Sequence, residues 1–219
     1  MSLPLTANHP TLNARRTDGV LDWAQMLSGA GLILFMWAHM LLVGSVLLNP
    51  SIMNAIAGFF ESSGMAQVGG PLIFLLFLAH FVLAARKIPF RIEGQKTIWE
   101  HAKLLHHQDT WLWVVQAVSG MLILIMGAIH MWVVLSDLPI EALKCAGTLQ
   151  KHSGWLLFYL ALAPLVHVHL GVGLYRIAVK WGFAGRAQRV GLKRFVVLLV
   201  LVSVTISVLT LFRFWFMAV

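Results

Sequence analysis

The chain has 219 residues, 59% of them hydrophobic and 11% charged, with a mean hydropathy of +0.84. Such a composition excludes disorder, and it is far from the quarter or so of charged residues usual in a soluble domain. Sixteen Lys and Arg stand against eight Asp and Glu; in a membrane chain this basic excess reports topology and not a nucleic-acid partner.

Residues 1–22 read as a polar tail carrying Arg15, Arg16, Asp18 and Asp22. No apolar leader region precedes the first long run, so this segment does not read as a signal peptide. Apolar runs follow at about 23–48, 69–88, 110–136, 153–179 and 193–217. Each reaches the roughly 20 residues that a bilayer span requires. Pro50, Pro89 and Pro139 punctuate the run ends, Pro71 falls in a first turn and Pro164 lies inside the fourth run. Alternation of the strand type is absent, which argues against a β-barrel. The expected fold is an all-α integral membrane protein, a single domain of five transmembrane helices over residues 1–219, with lipid around it.

Basic residues set the orientation. Thirteen fall in the tail and in the second-to-third and fourth-to-fifth connections, against Lys144, Lys151 and Arg213 on the other side. The positive-inside rule then predicts a cytoplasmic N-terminus and an outer C-terminus. A lone cysteine, Cys145, excludes an internal disulfide, a Cys-based zinc site and a Cys-ligated iron–sulfur cluster. No C-x-x-C-H is present, so covalent haem attachment of the c type is excluded as well.

Ten histidines are present. His9, His101, His106, His107 and His152 fall outside or at the ends of the runs and read as surface residues. His39, His80, His130, His167 and His169 fall inside them, where an ionisable group is costly and defaults to a functional hypothesis. At about 1.5 Å per residue, His39 lies roughly 24 Å beyond Trp23, in the outer half. His130, nine residues before Pro139, is also outer. His80 and His169 lie roughly 9 and 10 Å from the inner edge. The four form an outer pair, His39 with His130, and an inner pair, His80 with His169. No carboxylate or thiol stands at these depths to complete a zinc or copper site. Two bis-histidine b haems are the economical reading; helix–helix hydrogen bonding is the alternative for any one histidine.

An internal repeat supports the pairing. Residues 25–40 and 116–131 both fit Q-x2-S-G-x9-H-M, which makes the first and third spans equivalent. Each haem then takes one ligand from each half of a four-helix core, and the fifth span, which lacks histidine, is left for packing or lipid contact. Gly29, Gly31, Gly120, Gly127, Gly171 and Gly173 suit either a flat macrocycle or close helix packing. Lys180, Gln25 and Trp113 lie toward the inner edge and offer donors for haem propionates, an interfacial anchor being the rival role for Trp113.

The stretches SGAGLILFMWAHM, AHFVLAARKIPFR and HLGVGLYRIAVKWGF resemble the dihaem cytochrome b subunit of bacterial succinate:quinone oxidoreductases, most closely the menaquinol:fumarate reductases. The resemblance covers essentially the whole chain. It implies haem ligation by His39 with His130 and by His80 with His169, and propionate contacts from Gln25, Trp113 and Lys180. It implies a flavoprotein and an iron–sulfur subunit on the cytoplasmic face of a bacterial inner membrane, with fumarate chemistry in the flavoprotein, and it is compatible with a dimer of the complex. The chain would be the quinol-oxidising, electron-transferring part of a multi-subunit oxidoreductase. The family's quinol-site glutamate falls at Glu61, in GFFESSGM, where a carboxylate could take a quinol proton as general base; an ordinary loop glutamate is the alternative. Some dihaem members carry a glutamate linked to transmembrane proton movement two residues before the last ligand; here His167 stands there, which puts that route in doubt. Two other functions remain compatible with the sequence: the anchor of a succinate dehydrogenase passing electrons to quinone, and a non-redox transporter or scaffold.

Overall fold

The computed structural model describes residues 10–89 and 91–219, with side chains from residue 16 onward. His9 and residues 1–9 of the expected tail lie outside the described residues. Eight α-helices and two short 3-10 turns make up the fold, with no strand among the described residues. The five long ones are α1 (Pro10–Gly44), α3 (Met65–Ala85), α5 (Gln108–Leu135), α7 (Ser153–Lys180) and α8 (Arg189–Trp215). All five are long and apolar enough to cross a membrane. These are the five expected spans.

Three shorter helices fill the connections between the apolar runs: α2 (Pro50–Ser62), α4 (Ile92–Leu105) and α6 (Ala142–Lys151). Their mixed composition hides them from a search for apolar runs, because an amphipathic helix spreads its apolar residues at three- and four-residue spacing. The start of α2 is well specified. The Asn49 side chain accepts from the Ser51 backbone N–H at 2.9 Å, and Pro50 occupies the first helical position. The helix α1 also begins earlier than the expected span, at Pro10. Residues 11–22 contain no proline to stop it, so an established helix propagates through its polar end at little cost.

Packing follows a ring. The helix α1 packs on α3, α3 on α5, α5 on α7, and α7 back on α1, while α8 lies outside against α7 and α1. The four helices of the ring are those that carry the paired histidines. Between helices in lipid the hydrophobic drive is weak, so close packing and hydrogen bonds hold them together. Gly171 shows the first: a Cβ there would meet Val200 Cγ2 at 2.4 Å, so α7 and α8 approach more closely than any larger residue allows. This glycine serves packing and not a cofactor.

The end of the ring nearer His39 and His130 is closed by α2 and α6. Val46, Met53, Ala142, Ala146, Leu149, Phe214 and Met217 form a buried cluster there. Asn54 Oδ1 accepts from the Ala142 backbone N–H at 2.8 Å, and Gln150 Nε2 donates to the Phe214 and Met217 carbonyls, both at 2.8 Å. The first satisfies a donor at the start of α6 that has no partner within the helix, and the other two tie the end of α8 to α6.

Candidate functional site

Inside the ring lies one cavity of about 560 Å³, lined by His39, His80, His130, His167 and His169. This is within the range of roughly 300–1,000 Å³ typical of cofactor sites. The expected propionate contacts Gln25, Trp113 and Lys180 line it as well. His101, His106, His107 and His152 are exposed, as a surface role requires.

The outer pair meets directly. His39 and His130 ring centroids are 5.9 Å apart, with planes at 66°. Two metal–imidazole bonds of about 2 Å, with the ring radii added, place centroids about 6 Å apart. His130 Nδ1 also lies 3.2 Å from the Tyr159 phenol oxygen, across from α5 to α7.

The inner pair is held in a different way. His80 of α3 leans on α1, with Nδ1 3.0 Å from Ser28 Oγ; His169 of α7 leans on α5, with Nδ1 2.8 Å from Ser119 Oγ. Each ring rests on the glycine next to its serine. A Cβ on Gly29 would come within 2.9 Å of His80 Cε1, and one on Gly120 within 3.1 Å of His169 Cε1. The internal repeat now has a structural meaning. Its Ser-Gly pair seats the inner histidine of the neighbouring helix, and its histidine joins the outer pair. Ser28, Ser119, Gln116 and Tyr159 were missed as site residues. The repeat was the available signal for the first three, and nothing in the sequence marks Tyr159.

The chemistry of the donor set fits haem. Among the described residues, no group of three or more His, Cys, Asp or Glu could hold a metal ion. Two imidazoles alone suit a metal whose remaining ligands arrive with it, as in a porphyrin. Gln116 Nε2 lies 3.1 Å from His169 Nε2, within the same cavity. The carboxamide oxygens of Gln25 and Gln116 are buried without a hydrogen-bond partner. Of the six glycines singled out, Gly29, Gly120, Gly127 and Gly173 line the cavity, whereas Gly31 and Gly171 do not.

Charge gathers at the mouth nearer His80 and His169. Asp22 pairs with Arg86, with Lys87 at 2.6 Å and with Lys180, tying α1 to the inner ends of α3 and α7. Lys180 therefore rests on a carboxylate of the chain itself. The Trp23 and Trp181 rings lie beside this charge cluster, centroids 4.3 Å apart and planes tilted by 47°. Asp22, expected as part of a polar tail, is instead the shared carboxylate of this cluster.

At the opposite mouth the lining includes Asp137, Glu141, Lys144 and Cys145. Burial, with a smaller contribution from the Asp137 carboxylate, pushes the Cys145 thiol up to about 11, so it stays protonated at neutral pH. Glu61 is not among the cavity-lining residues. It sits in the last turn of α2, where Gln67 Nε2 donates to its Oε2 at 3.1 Å and its Oε1 is buried without a partner. His167 is buried and bonds Ser207 Oγ of α8 at 2.8 Å.

The family described as succinate dehydrogenase/fumarate reductase transmembrane subunit matches residues 93–210. The fumarate reductase cytochrome b subunit of Helicobacter pylori (strain ATCC 700392 / 26695) is 36% identical over 185 residues, covering 80% of this chain and 71% of that protein. Its counterpart in Wolinella succinogenes is 33% identical over 183 residues, with the same coverage of 80% and 71%. A multi-pass helical ring that turns four histidines into one cavity, together with relatives of this identity and coverage, places the chain: it belongs to the succinate dehydrogenase/fumarate reductase transmembrane subunit family.

Proposed function

We propose that the protein is the haem b-bearing membrane anchor of a quinol:fumarate reductase, oxidising menaquinol on its outer side and delivering electrons to iron–sulfur and flavin subunits on the cytoplasmic side. The observation that carries this reading is the closed four-helix ring, with one ligand-type histidine from each helix lining a common cavity. His39 and His130 would hold the outer haem, and His80 and His169 the inner one. Each bound haem would supply a one-electron carrier whose potential the protein tunes through axial ligands, hydrogen bonds and burial.

The chain's own residues do the rest. Apolar side chains of the ring exclude water, and the serines and glycines of the repeat fix the inner imidazoles. Gln25, Trp113 and Lys180 offer donors to propionates at the inner mouth, where Lys180 would share its charge between Asp22 and the new anion. Glu61 would accept a proton from the quinol. Its partnerless Oε1 keeps a lone pair free, while the Gln67 amide holds the other oxygen. The quinol site would then lie at the α2–α3 edge, beside the ring and not within it.

The test is activity of the isolated complex in both directions, with menaquinol and ubiquinol analogues. Fumarate reduction by the menaquinol analogue, faster than succinate-driven quinone reduction, is the expected result. The reverse preference would assign the chain to a succinate dehydrogenase.

Orientation is tested separately. Single cysteines placed in 89–108 and 181–192 should label only from the cytoplasmic side of sealed cells, and those in 50–68 and 138–151 only from outside. The protonated Cys145 thiol should react slowly and leave a low background. Labelling of 89–108 from outside would overturn both the orientation and the side on which the partner subunits dock.

A further inference from the structure

The two buried serines of the repeat do more than fill space. Ser28 Oγ lies 3.0 Å from the Gln25 carbonyl of its own helix, and Ser119 Oγ lies 2.6 Å from the Val115 carbonyl. A hydroxyl has one proton to donate and two lone pairs to accept with. Both serines spend that proton on a backbone carbonyl, so toward the imidazole each can only accept. With the hydroxyl proton on the carbonyl, the imidazole nitrogen facing each serine, Nδ1 of His80 and Nδ1 of His169, is the one that carries the hydrogen. Nε2 is left as a bare lone pair in both rings. A second contact agrees: the Gln116 amide nitrogen, which only donates, lies 3.1 Å from His169 Nε2.

The arrangement is duplicated. The two serines sit on equivalent helices, at the same place in the repeat, with fractional exposures of 8% and 3%. Water therefore does not compete for either bond, and each is fixed by the helix that bears it.

We propose that Ser28 and Ser119 are a matched pair of positioning residues that set the tautomer and the basicity of the two inner imidazoles, and through them hold down the reduction potential of the inner haem. This rests on the haem-bearing reading above. An acceptor on Nδ1–H pushes electron density toward Nε2 and strengthens the bond to the metal, more for the ferric than for the ferrous state. The outer pair is held differently, His130 having a phenol at 3.2 Å, so the effect is specific to the inner site.

The experiment is a spectroscopic redox titration of the intact complex carrying Ser28→Ala, Ser119→Ala or both, with Ser28→Thr and Ser119→Thr as conservative controls. Haem content is measured first, and the low-spin ferric EPR signal is recorded for each variant. Removing one hydroxyl should weaken the ferric preference about tenfold, the lower end of the range for outer-shell partners. That is an upward shift of about 59 mV for a one-electron couple. The double variant should shift further, the outer haem should stay put, and the threonine variants should lie near the wild type. Loss of the inner haem in the alanine variants, with its return in the threonine variants, supports the same assignment. An inner haem retained at an unshifted potential in the double alanine variant overturns it, as does equal loss of haem in the alanine and threonine variants. No haem in the folded wild-type complex would overturn the underlying reading as well, so the two failures are distinguishable.

Discussion

Alanine at His39 or at His130 is expected to lower the haem content from two per chain to one, with loss of the outer haem's signal and retention of the inner. Alanine at His80 or at His169 should do the converse. The reason is geometric. The members of each pair come from different helices, so one substitution leaves a single imidazole where two are needed. In the outer pair the rings already lie 5.9 Å apart, close to the separation that ligation of one metal requires. Inner-pair variants carry a second cost, because the His80–Ser28 and His169–Ser119 bonds also join α3 to α1 and α7 to α5. Polar contacts of this kind between membrane helices are worth about 0.6 to 2 kcal/mol each. Lower yields of assembled complex are therefore expected for His80 and His169 variants than for His39. Pyridine haemochrome assay per folded chain, paired with low-temperature difference spectra, checks all four. Two haems retained in any one of these variants would remove that histidine from the ligand set.

Glu61→Gln is expected to lower quinol oxidation by something like 10²-fold or more, the contribution of a positioned base. Glutamine keeps the size and the hydrogen bonding of the side chain but cannot take the proton. Both haems should remain, because Glu61 does not line the cavity that holds the histidines. Fumarate reduction driven by an artificial dye should persist, since the dye bypasses the quinol site. Near-normal quinol activity would return Glu61 to the role of an α2 end residue held by Gln67. Equal loss of quinol- and dye-driven activity would indicate failed assembly and would also remove it from the mechanism.

The depth arithmetic placed His39 with His130 and His80 with His169, and the structure brings His39 and His130 into ring contact. That much was legible because a span is straight, rises by a fixed amount per residue and has charged ends that mark its edges. The amphipathic helices α2, α4 and α6 were not legible, since each mixes polar and apolar residues and so fell below the threshold of an apolar run. Ser28 and Ser119 escaped for another reason. Their partners lie 52 and 50 residues away, and only the mutual rotation of two helices decides whether a serine faces a ring or lipid. The repeat carried the information, but in the sequence its Ser-Gly pair served only to align the halves. Asp22 was hidden by its neighbours: beside Arg15, Arg16 and Asp18 it reads as solvated charge. Its role shows only once α3 and α7 bring Arg86, Lys87 and Lys180 to the same end of the ring.

This helical ring is expected to bind two non-covalent b haems through histidine. Purified complex, quantified by amino-acid analysis and assayed as the pyridine haemochrome, tests it most directly. Two extractable b haems for each copy of the chain, reducible in separate steps, are the expected result. Folded complex with one haem per chain would contradict the paired-histidine arrangement, and folded complex with none would contradict the haem reading altogether.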